Sequence, residues 1–492
     1  MFFTSTRKNC QVTASAAIAK GISEDGGLFV PSEFPKLADG ELEQLAKLSY
    51  KERAARILQK FLGDYSTDEL ARCVEGAYEG NFDNNDPAPL KEIYNNVNIL
   101  ELWHGPTCAF KDMALQILPY LLTVATGKNC PDRTTVILVA TSGDTGKAAL
   151  EGFADVPGTK IIVFFPRDGV SDMQKLQMTT QKGGNVAVCA IEGNFDDAQS
   201  GVKNIFADKK IAEFLNARNM EFSSANSINF GRLAPQIVYY ISSYCDLLKN
   251  GKISVGDVVN VAVPTGNFGN ILAAYYAKQM GLPVKRFICA SNRNNILSDF
   301  IATGIYDRNR PFFTTESPSM DILISSNLER LLYHLSNENC ELVARLMNEL
   351  KSEGRYTVPA DILTKLKQEF YGGYCSDAEA RQTIKSCFDK YHYLCDTHTA
   401  VAVNVYQRYA KDSGDTTPVI IASTASPYKF APAVLNALGG NASEDGFAVM
   451  EELSKVTGTP IPAPLAALKS AEVKHKNSIA KENMAEFICS VL

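Results

Sequence analysis

The chain has 492 residues, more than one hydrophobic core usually supports, so its length predicts about two or three packed domains. Apolar residues make up 45% and charged residues 21% of the sequence, which is typical of globular proteins and excludes a disordered or fibrous chain. The formal net charge of −6, without long runs of one sign, disfavours nucleic acid and anionic membranes as partners.

The N-terminus and the cysteines bear on the cellular compartment. The segment Met1–Val12 lacks the apolar run and cleavage site of a secretory signal, and no stretch approaches the ~20 apolar residues of a membrane span. The 12 cysteines, scattered from Cys10 to Cys489, include no C-x-x-C pair. We therefore expect free thiols, no metal site and a cytoplasmic protein.

The first pattern along the chain is helical. Leu, Ala, Glu, Lys and Arg recur at helical spacing over Lys36–Tyr78, and the turn-forming segment Asn81–Leu90 (NFDNNDPAPL) ends this pattern. The sequence therefore predicts a mainly helical N-terminal domain over residues 1–88.

Apolar β-branched runs then recur along the chain, with helix-like segments such as Gly146–Phe153 and Ile271–Met280 between them. This alternation is typical of βα units and predicts an α/β fold with open, mostly parallel sheets. The predicted strands are Thr135–Ala140, Ile161–Pro166, Val186–Ile191, Val258–Pro264, Arg286–Ala290 and Val419–Ala422.

Two further helical patterns complete the chain. Thr314–Gly373 lies between strand-bearing regions and is predicted to be an insertion, and a helical tail is predicted after Gly439. We therefore expect a small α/β domain over residues 89–225, a large α/β domain over 226–440 and a tail over 441–492.

Loops rich in Gly or hydroxyl groups follow three of the strands, where open α/β sheets bind ligands. Thr141–Gly146 (TSGDTG) would present N–H groups to an anion, although a tight βα turn explains the pattern equally well. Thr265–Asn270 (TGNFGN) allows close backbone approach and adds amide donors, which favours a phosphate site. Ser423–Pro427 (STASP), taken alone, is explained by a helix cap. A complete dinucleotide or Walker A motif is missing, so we expect no nicotinamide cofactor.

Lys111 lies among apolar neighbours in Trp103–Ala114 (WHGPTCAFKDMA). Burial would disfavour its charged form, lower its pKa and leave a nucleophilic amine near neutral pH. The alternative is a surface lysine paired with Asp112, and for an isolated lysine that explanation is the better one.

The order of these motifs resembles that of fold type II enzymes that use pyridoxal 5′-phosphate (PLP), such as tryptophan synthase β. Within that group the sequence is similar to the threonine synthase family, in its longer branch with a helical N-terminal domain and the insertion containing Pro318–Arg330. Ser426 and Tyr428 stand where the family has a histidine and a small residue. The motifs that carry the resemblance are Phe3–Arg7 (FTSTR), Asp25–Pro31 (DGGLFVP), His104–Met113 (HGPTCAFKDM), Thr141–Gly146, Asn226–Arg232 (NSINFGR), Pro264–Asn270 and Thr424–Phe430 (TASPYKF).

This resemblance implies PLP as cofactor and O-phospho-L-homoserine as substrate, with L-threonine and inorganic phosphate as products of an elimination followed by addition of water. Lys111 would hold the cofactor as a Schiff base and then transfer protons. Thr424 would bond the pyridine nitrogen. The cofactor phosphate would be held by Gly266, Asn267, Phe268, Gly269 and Asn270.

The remaining candidates concern the substrate. The resemblance implies that Ser142, Asp144 and Thr145 meet its carboxylate, although an ionised Asp144 beside a carboxylate is energetically unfavourable. The substrate phosphate needs a separate binder, and Arg232 is our candidate because a guanidinium forms two parallel hydrogen bonds with phosphate. Additional neutral donors would come from Asn226, Ser227 and Asn229.

Three alternatives remain beside this hypothesis. The first is another fold type II reaction, such as serine or threonine dehydration or sulfide-dependent β-replacement. The second is a homologue that binds ligand without turnover, and the third is an unrelated α/β nucleotide-binding enzyme. In each case we expect a small-molecule ligand, no nucleic acid or membrane partner, and a monomer or homodimer.

Overall fold

The computed structural model describes residues 1–83, 86–141, 143–168 and 170–492. In chain order its strands are β1 (Phe2–Ser5), β2 (Val12–Thr13), β3 (Phe29–Pro31), β4 (Leu90–Tyr94), β5 (Val97–Glu101), β6 (Thr134–Ala140), β7 (Thr159–Pro166), β8 (Val186–Glu192), β9 (Met220–Ser223), β10 (Val259–Pro264), β11 (Val284–Ser291), β12 (Ile305–Asp307), β13 (Arg355–Thr357), β14 (Phe370–Tyr374), β15 (Val419–Ser423) and β16 (Asn477–Ala480).

The α-helices are α1 (Ala14–Lys20), α2 (Glu41–Ala46), α3 (Tyr50–Phe61), α4 (Thr67–Tyr78), α5 (Asp112–Leu115), α6 (Leu118–Asn129), α7 (Asp144–Phe153), α8 (Asp172–Thr179), α9 (Phe195–Ala207), α10 (Lys209–Asn216), α11 (Phe230–Lys249), α12 (Gly269–Met280), α13 (Ile296–Thr303), α14 (Leu328–Leu335), α15 (Cys340–Glu353), α16 (Ala360–Glu369), α17 (Asp377–Tyr391), α18 (Thr397–Ser413), α19 (Ala431–Ala437), α20 (Gly446–Thr457), α21 (Ala463–Ala466) and α22 (Met484–Val491).

Two open sheets organise the molecule. The larger has the order β14-β11-β10-β15-β5-β4, and the smaller has the order β16-β8-β7-β6-β9. Neighbouring strands pair in parallel except β4 and β5. Strands β10 and β15 are buried at every position, as expected when helices cover both faces. The predicted α/β class and each of the predicted apolar strands are confirmed.

The predicted N-terminal helices are α2, α3 and α4. Capping boxes start two of them, Ser49 with Glu52 in α3 and Ser66 with Glu69 in α4. Helices α2 and α3 pack against α11, so the N-terminal part shares a core with the rest of the chain. A small antiparallel sheet, β2-β1-β3, also lies in this part and was not predicted.

The two sheets divide the chain differently from the predicted small (89–225) and large (226–440) α/β domains. Strands β4 and β5 belong to the larger sheet, because the fully buried β5 pairs in parallel with β15. The smaller sheet begins only with β6. The tail predicted to be helical contains β16, which pairs with β8, and the predicted insertion contributes the edge strand β14.

The described residues contain no helix that combines the length and the apolar character of a membrane span. All twelve cysteines are free thiols. Across the described ranges, no cluster of three or more His, Cys, Asp or Glu side chains is arranged to hold a metal ion.

Candidate active site

The segment Trp103–Ala114, here called the lysine segment, is hydrogen-bonded to the residues that follow β15. Phe110 N donates to the Thr424 carbonyl at 2.9 Å, and Ser426 N donates to the Cys108 carbonyl at 3.0 Å. An antiparallel bridge joins Ala109 to the same segment. Lys111 follows directly and precedes α5. The fold therefore brings two predicted cofactor residues, Lys111 and Thr424, into one place.

Lys111 has a buried amine. Only 14% of its side chain is exposed, and its Nζ lies 3.8 Å from Asp144 Oδ2. Burial is the main cause that lowers the pKa of Lys111, and Lys429 and Arg232 lower it further, although Asp144 opposes them. This environment makes it easier for the amine to lose its proton and act as a nucleophile.

Asp112 does not pair with Lys111, so the alternative of a surface lysine is wrong. Its carboxylate instead accepts hydrogen bonds from Thr107 N at 2.8 Å and Thr107 Oγ1 at 2.7 Å. Burial raises the pKa of Asp112 to about 6 in spite of these bonds. Asp112 therefore holds the turn that presents the lysine.

The TSGDTG loop follows β6 and opens α7. Thr141 Oγ1 accepts from Gly143 N at 3.0 Å and Gly146 N at 2.9 Å, which fixes the loop. Gly143 has φ 144°, where a side chain would be strained and would collide with Gln174. Thr145 is half-buried in the first turn of α7. The candidate Ser142 lies outside the described residues.

Asp144 forms an ion pair that the sequence analysis did not predict. Lys429 Nζ lies 2.8 Å from Asp144 Oδ1, and Gln174 Nε2 donates to the same oxygen at 3.2 Å. Burial alone would raise the pKa of Asp144, but the ion pair and hydrogen bond with Lys429 outweigh burial and lower it. The only sequence signal for Lys429 was its place within the motif TASPYKF.

The Gly266–Asn270 loop connects β10 to α12. Phe268 has a left-handed backbone with φ 64°, which turns the chain into the helix. Asn270 Oδ1 accepts hydrogen bonds from the hydroxyl groups of Tyr239 and Tyr240. Its buried Nδ2 has no partner among the described residues. An amide donor is thus held in place beside the free N–H groups of a helix start, an arrangement that suits a phosphate.

Residues of the predicted insertion brace this loop, a role that the sequence analysis missed. Ser325 Oγ donates to the Gly266 carbonyl at 2.7 Å, and Asn327 N donates to the Asn267 carbonyl at 3.1 Å. Asn327 Nδ2 reaches the Ser227 carbonyl at 3.3 Å. Asn327 therefore connects the two loops that were predicted to bind different phosphates.

The residues of NSINFGR have distinct roles at the start of α11. Asn229 is the N-cap, and both hydrogens of its amide group are used on the carbonyls of Ile18 and Ser224. It therefore shapes the helix start in this structure rather than offering donors. Asn226 is exposed and Ser227 is half-buried, so their predicted contact with the substrate stays a prediction.

Arg232 is a buried cation with few partners. Its side chain donates one hydrogen bond, to the Ala225 carbonyl at 2.7 Å, and its Nε has no partner within the described ranges. Burial lowers the pKa of Arg232 to about 10, and no described carboxylate lies within ion-pair distance. A guanidinium in this state is suited to an incoming anion.

Buried polar side chains form hydrogen bonds at the end of β15, next to Thr424. Trp103 Nε1 donates to Ser423 Oγ at 3.1 Å, and Thr399 Oγ1 lies 3.0 Å from the same oxygen. His398 Nδ1 bonds Asp396 at 2.7 Å, and this histidine is buried in the core. Among the two departures from the family pattern, Tyr428 donates to the Thr459 carbonyl at 2.6 Å and Ser426 caps the next turn.

These residues fit PLP. The buried amine of Lys111 suits an aldehyde, and the start of α12 with the unpaired Asn270 amide suits a phosphate ester. Thr424, whose carbonyl accepts a hydrogen bond from Phe110 N, is buried and carries a neutral hydroxyl. Arg232 Nε is a second buried donor without a partner among the described residues.

Three family models match the chain. The model for the threonine synthase N terminus matches residues 2–78, the one for pyridoxal-phosphate-dependent enzymes matches 87–424, and the one for the threonine synthase C-terminal region matches 399–485. The three matches together cover nearly the whole chain.

Similar proteins carry related names. Threonine synthase of Schizosaccharomyces pombe is 40% identical over 451 residues, which are 86% of this chain and 86% of that protein. Human threonine synthase-like 1 is 44% identical over 455 residues, which are 89% of this chain but 60% of the longer protein. The structure of PLP-bound threonine synthase from Brucella melitensis has a TM-score of 0.89 at 35% identity and covers 100% of this chain and 99% of its own. This likeness confirms the predicted fold type II architecture.

Proposed function

The chain belongs to the threonine synthase family of PLP-dependent enzymes, and from that premise we propose that it converts O-phospho-L-homoserine and water to L-threonine and inorganic phosphate. The observation that carries the proposal is the buried guanidinium of Arg232, whose Nε has no hydrogen-bond partner among the described residues. It gives the site a second anion binder beside the Gly266–Asn270 loop, as a phosphorylated substrate requires in addition to a phosphorylated cofactor.

The cofactor would be held at three points. Lys111 would bind it covalently, the Gly266–Asn270 loop would bind its phosphate through main-chain N–H groups and Asn270 Nδ2, and Thr424 would bond its ring nitrogen. When bound, PLP supplies an electron sink for carbanions. A threonine hydroxyl is neutral and, unlike a carboxylate, does not stabilise a protonated ring nitrogen.

The chain's own residues supply binding and proton transfer. Lys111 Nζ would take the proton from the substrate Cα and return it at the end, because its amine is largely buried and burial lowers its pKa. Arg232 would hold the substrate phosphate and stabilise its charge as it leaves. Thr145 and the N–H groups that begin α7 are proposed to bind the substrate carboxylate, since Asp144 is already paired with Lys429.

The test is phosphate release from O-phosphohomoserine by purified protein loaded with PLP, with Lys111→Ala as the matched control. L-serine, L-threonine, and O-acetylserine with sulfide serve as rival substrates. Release of phosphate with formation of threonine, absent in the control, supports the proposal. Turnover of a rival substrate alone assigns another fold type II reaction, and PLP binding without any turnover assigns a ligand-binding homologue.

The cellular setting is part of the proposal. A cytoplasmic location is supported by twelve cysteines that all remain free thiols, as is usual in reducing compartments. The partner is proposed to be the small-molecule substrate, and a monomer or homodimer stays a prediction of the sequence.

A further inference from the structure

Lys429 is a buried cation that the proposed reaction has not used. It lies in the single helical turn Pro427–Phe430, and 3% of its side chain is exposed. Its Nζ lies 2.8 Å from Asp144 Oδ1 and donates to the Thr107 carbonyl at 3.0 Å. Thr107 in turn holds the residue next to the catalytic lysine, so Lys429 joins the TSGDTG loop to the lysine segment.

The two carboxylate oxygens of Asp144 face different partners. Oδ1 meets Lys429 and Gln174, whereas Oδ2 lies 3.8 Å from Lys111 Nζ. A carboxylate buried in protein requires a compensating positive charge. Lys429 is the closer of the two cations and is hydrogen-bonded, so it is the main partner.

Without that partner, Asp144 would attract a proton onto Lys111. Burial disfavours this proton, and the positive charges of Lys429 and Arg232 on neighbouring elements oppose it. Two carboxylates lie near Lys111. The Asp112 carboxylate is hydrogen-bonded to Thr107 within its own turn, and the second carboxylate is that of Asp144. The charged groups that act on Lys111 are Asp144 on α7, Lys429, Arg232 on α11, and Asp112 on its own helix.

We propose that Lys429 is a positioning residue for the reaction: its ammonium group is the counter-ion of Asp144, so that this carboxylate does not hold a proton on the Lys111 amine, which stays free to act as a base. The inference rests on the proposed function. When Lys111 Nζ takes the Cα proton it becomes an ammonium group, and Asp144 Oδ2 faces that new charge. Return of the proton restores the amine, so the step is balanced without any co-reactant.

The test compares three variants by the pH at which half of Lys111 reacts with acetic anhydride. It uses the full chain freed of cofactor and quantifies the Lys111 peptide by mass spectrometry. Lys429→Met removes the counter-ion, so the midpoint should rise by about one pH unit or more. Lys429→Arg keeps the charge and should restore it. Lys429→Met combined with Asp144→Asn removes both charges of the pair and should also restore a low midpoint.

Lys147→Met is the matched control. Lys147 is also a buried lysine, but it lies on α7 and its Nζ pairs with Glu151 at 2.6 Å, away from Lys111. Its midpoint should equal that of the unmodified protein. In loaded enzyme, Lys429→Met should lower kcat/KM about tenfold at pH 7 and move the acidic limb of the pH profile upward by the same pH interval.

An unchanged midpoint in Lys429→Met, or a raised midpoint that persists in the double variant, overturns the inference. The labelling experiment contains no substrate. Failure of phosphate release would therefore refute the proposed function and leave the labelling result to decide the role of Lys429.

Discussion

Replacing Arg232 by methionine should stabilise the protein and abolish its function. Burial alone lowers the pKa of Arg232 from its ordinary value to about 10, which corresponds to about 3 kcal/mol of unfavourable charge burial at neutral pH. Its single hydrogen bond to the Ala225 carbonyl returns only ~1.5–3 kcal/mol. Methionine removes both contributions and fills the volume, so we expect the free energy of unfolding to rise by about 1 kcal/mol.

Urea-induced unfolding of the cofactor-free chain measures this change, and Arg330→Met is the matched control. Burial also lowers the pKa of Arg330 to about 10. Unlike Arg232, however, Arg330 donates to the carbonyls of Phe29 and Ile228 and to Asn327 Oδ1. Its replacement should lower the free energy of unfolding by about 3 kcal/mol, because three acceptors lose their donor.

Catalysis should respond in the opposite sense to stability. Arg232→Met should reduce kcat/KM for O-phosphohomoserine at least about 100-fold, and Arg232→Lys about tenfold or more, equivalent to ~1.4 kcal/mol, since lysine keeps the charge but loses the paired geometry. PLP content should not change. Earlier unfolding of Arg232→Met, or loss of PLP while the residual enzyme keeps normal kcat/KM, would refute the assignment of this arginine to the substrate phosphate.

Three further changes test other parts of the site. Lys111→Ala should fold and retain some PLP through the phosphate loop but lose turnover; near wild-type activity would rule out this lysine as the base. Thr424→Asp should alter the rate or the product mixture, because a carboxylate would stabilise a protonated ring nitrogen. Unaltered kinetics would remove Thr424 from the cofactor site. Because burial raises the pKa of Asp112 to about 6, ionisation at higher pH costs stability, so wild-type should lose stability relative to Asp112→Asn as the pH rises from about 4 to 6. Equal pH dependence of unfolding in the two proteins would contradict that shift.

Six of the parallel strands were predictable because each is a continuous apolar run between helical segments. Other strands were not predicted, and two of them show the physical reasons. Strand β14 (FYGGY) contains two glycines, which have low strand propensity, and β16 (NSIA) is short and partly exposed. Both lie at sheet edges, where pairing depends on a neighbour that is remote in sequence and leaves little mark on the local pattern.

The site was predictable where one short segment carries its own chemistry, as with Lys111 and the Gly266–Asn270 loop. It was not predictable where function depends on pairs far apart in the chain. The ion pair of Lys429 with Asp144 forms only after two strand ends meet, and Asn327 acquires its bracing role only when the insertion folds back. The N-cap role of Asn229 required its donors to be counted in three dimensions.

The strand order of the two sheets also has a consequence for biosynthesis. Strand β15 separates β10 from β5 in the larger sheet, and β16 covers the outer edge of β8 in the smaller. On a ribosome that adds about 5–20 residues per second, the chain between β8 and β16 takes roughly 15–60 s to emerge. During that interval β8 presents unpaired N–H and C=O groups to other nascent chains. Soluble yield should therefore depend on chaperones that shield β8 until the last strand arrives.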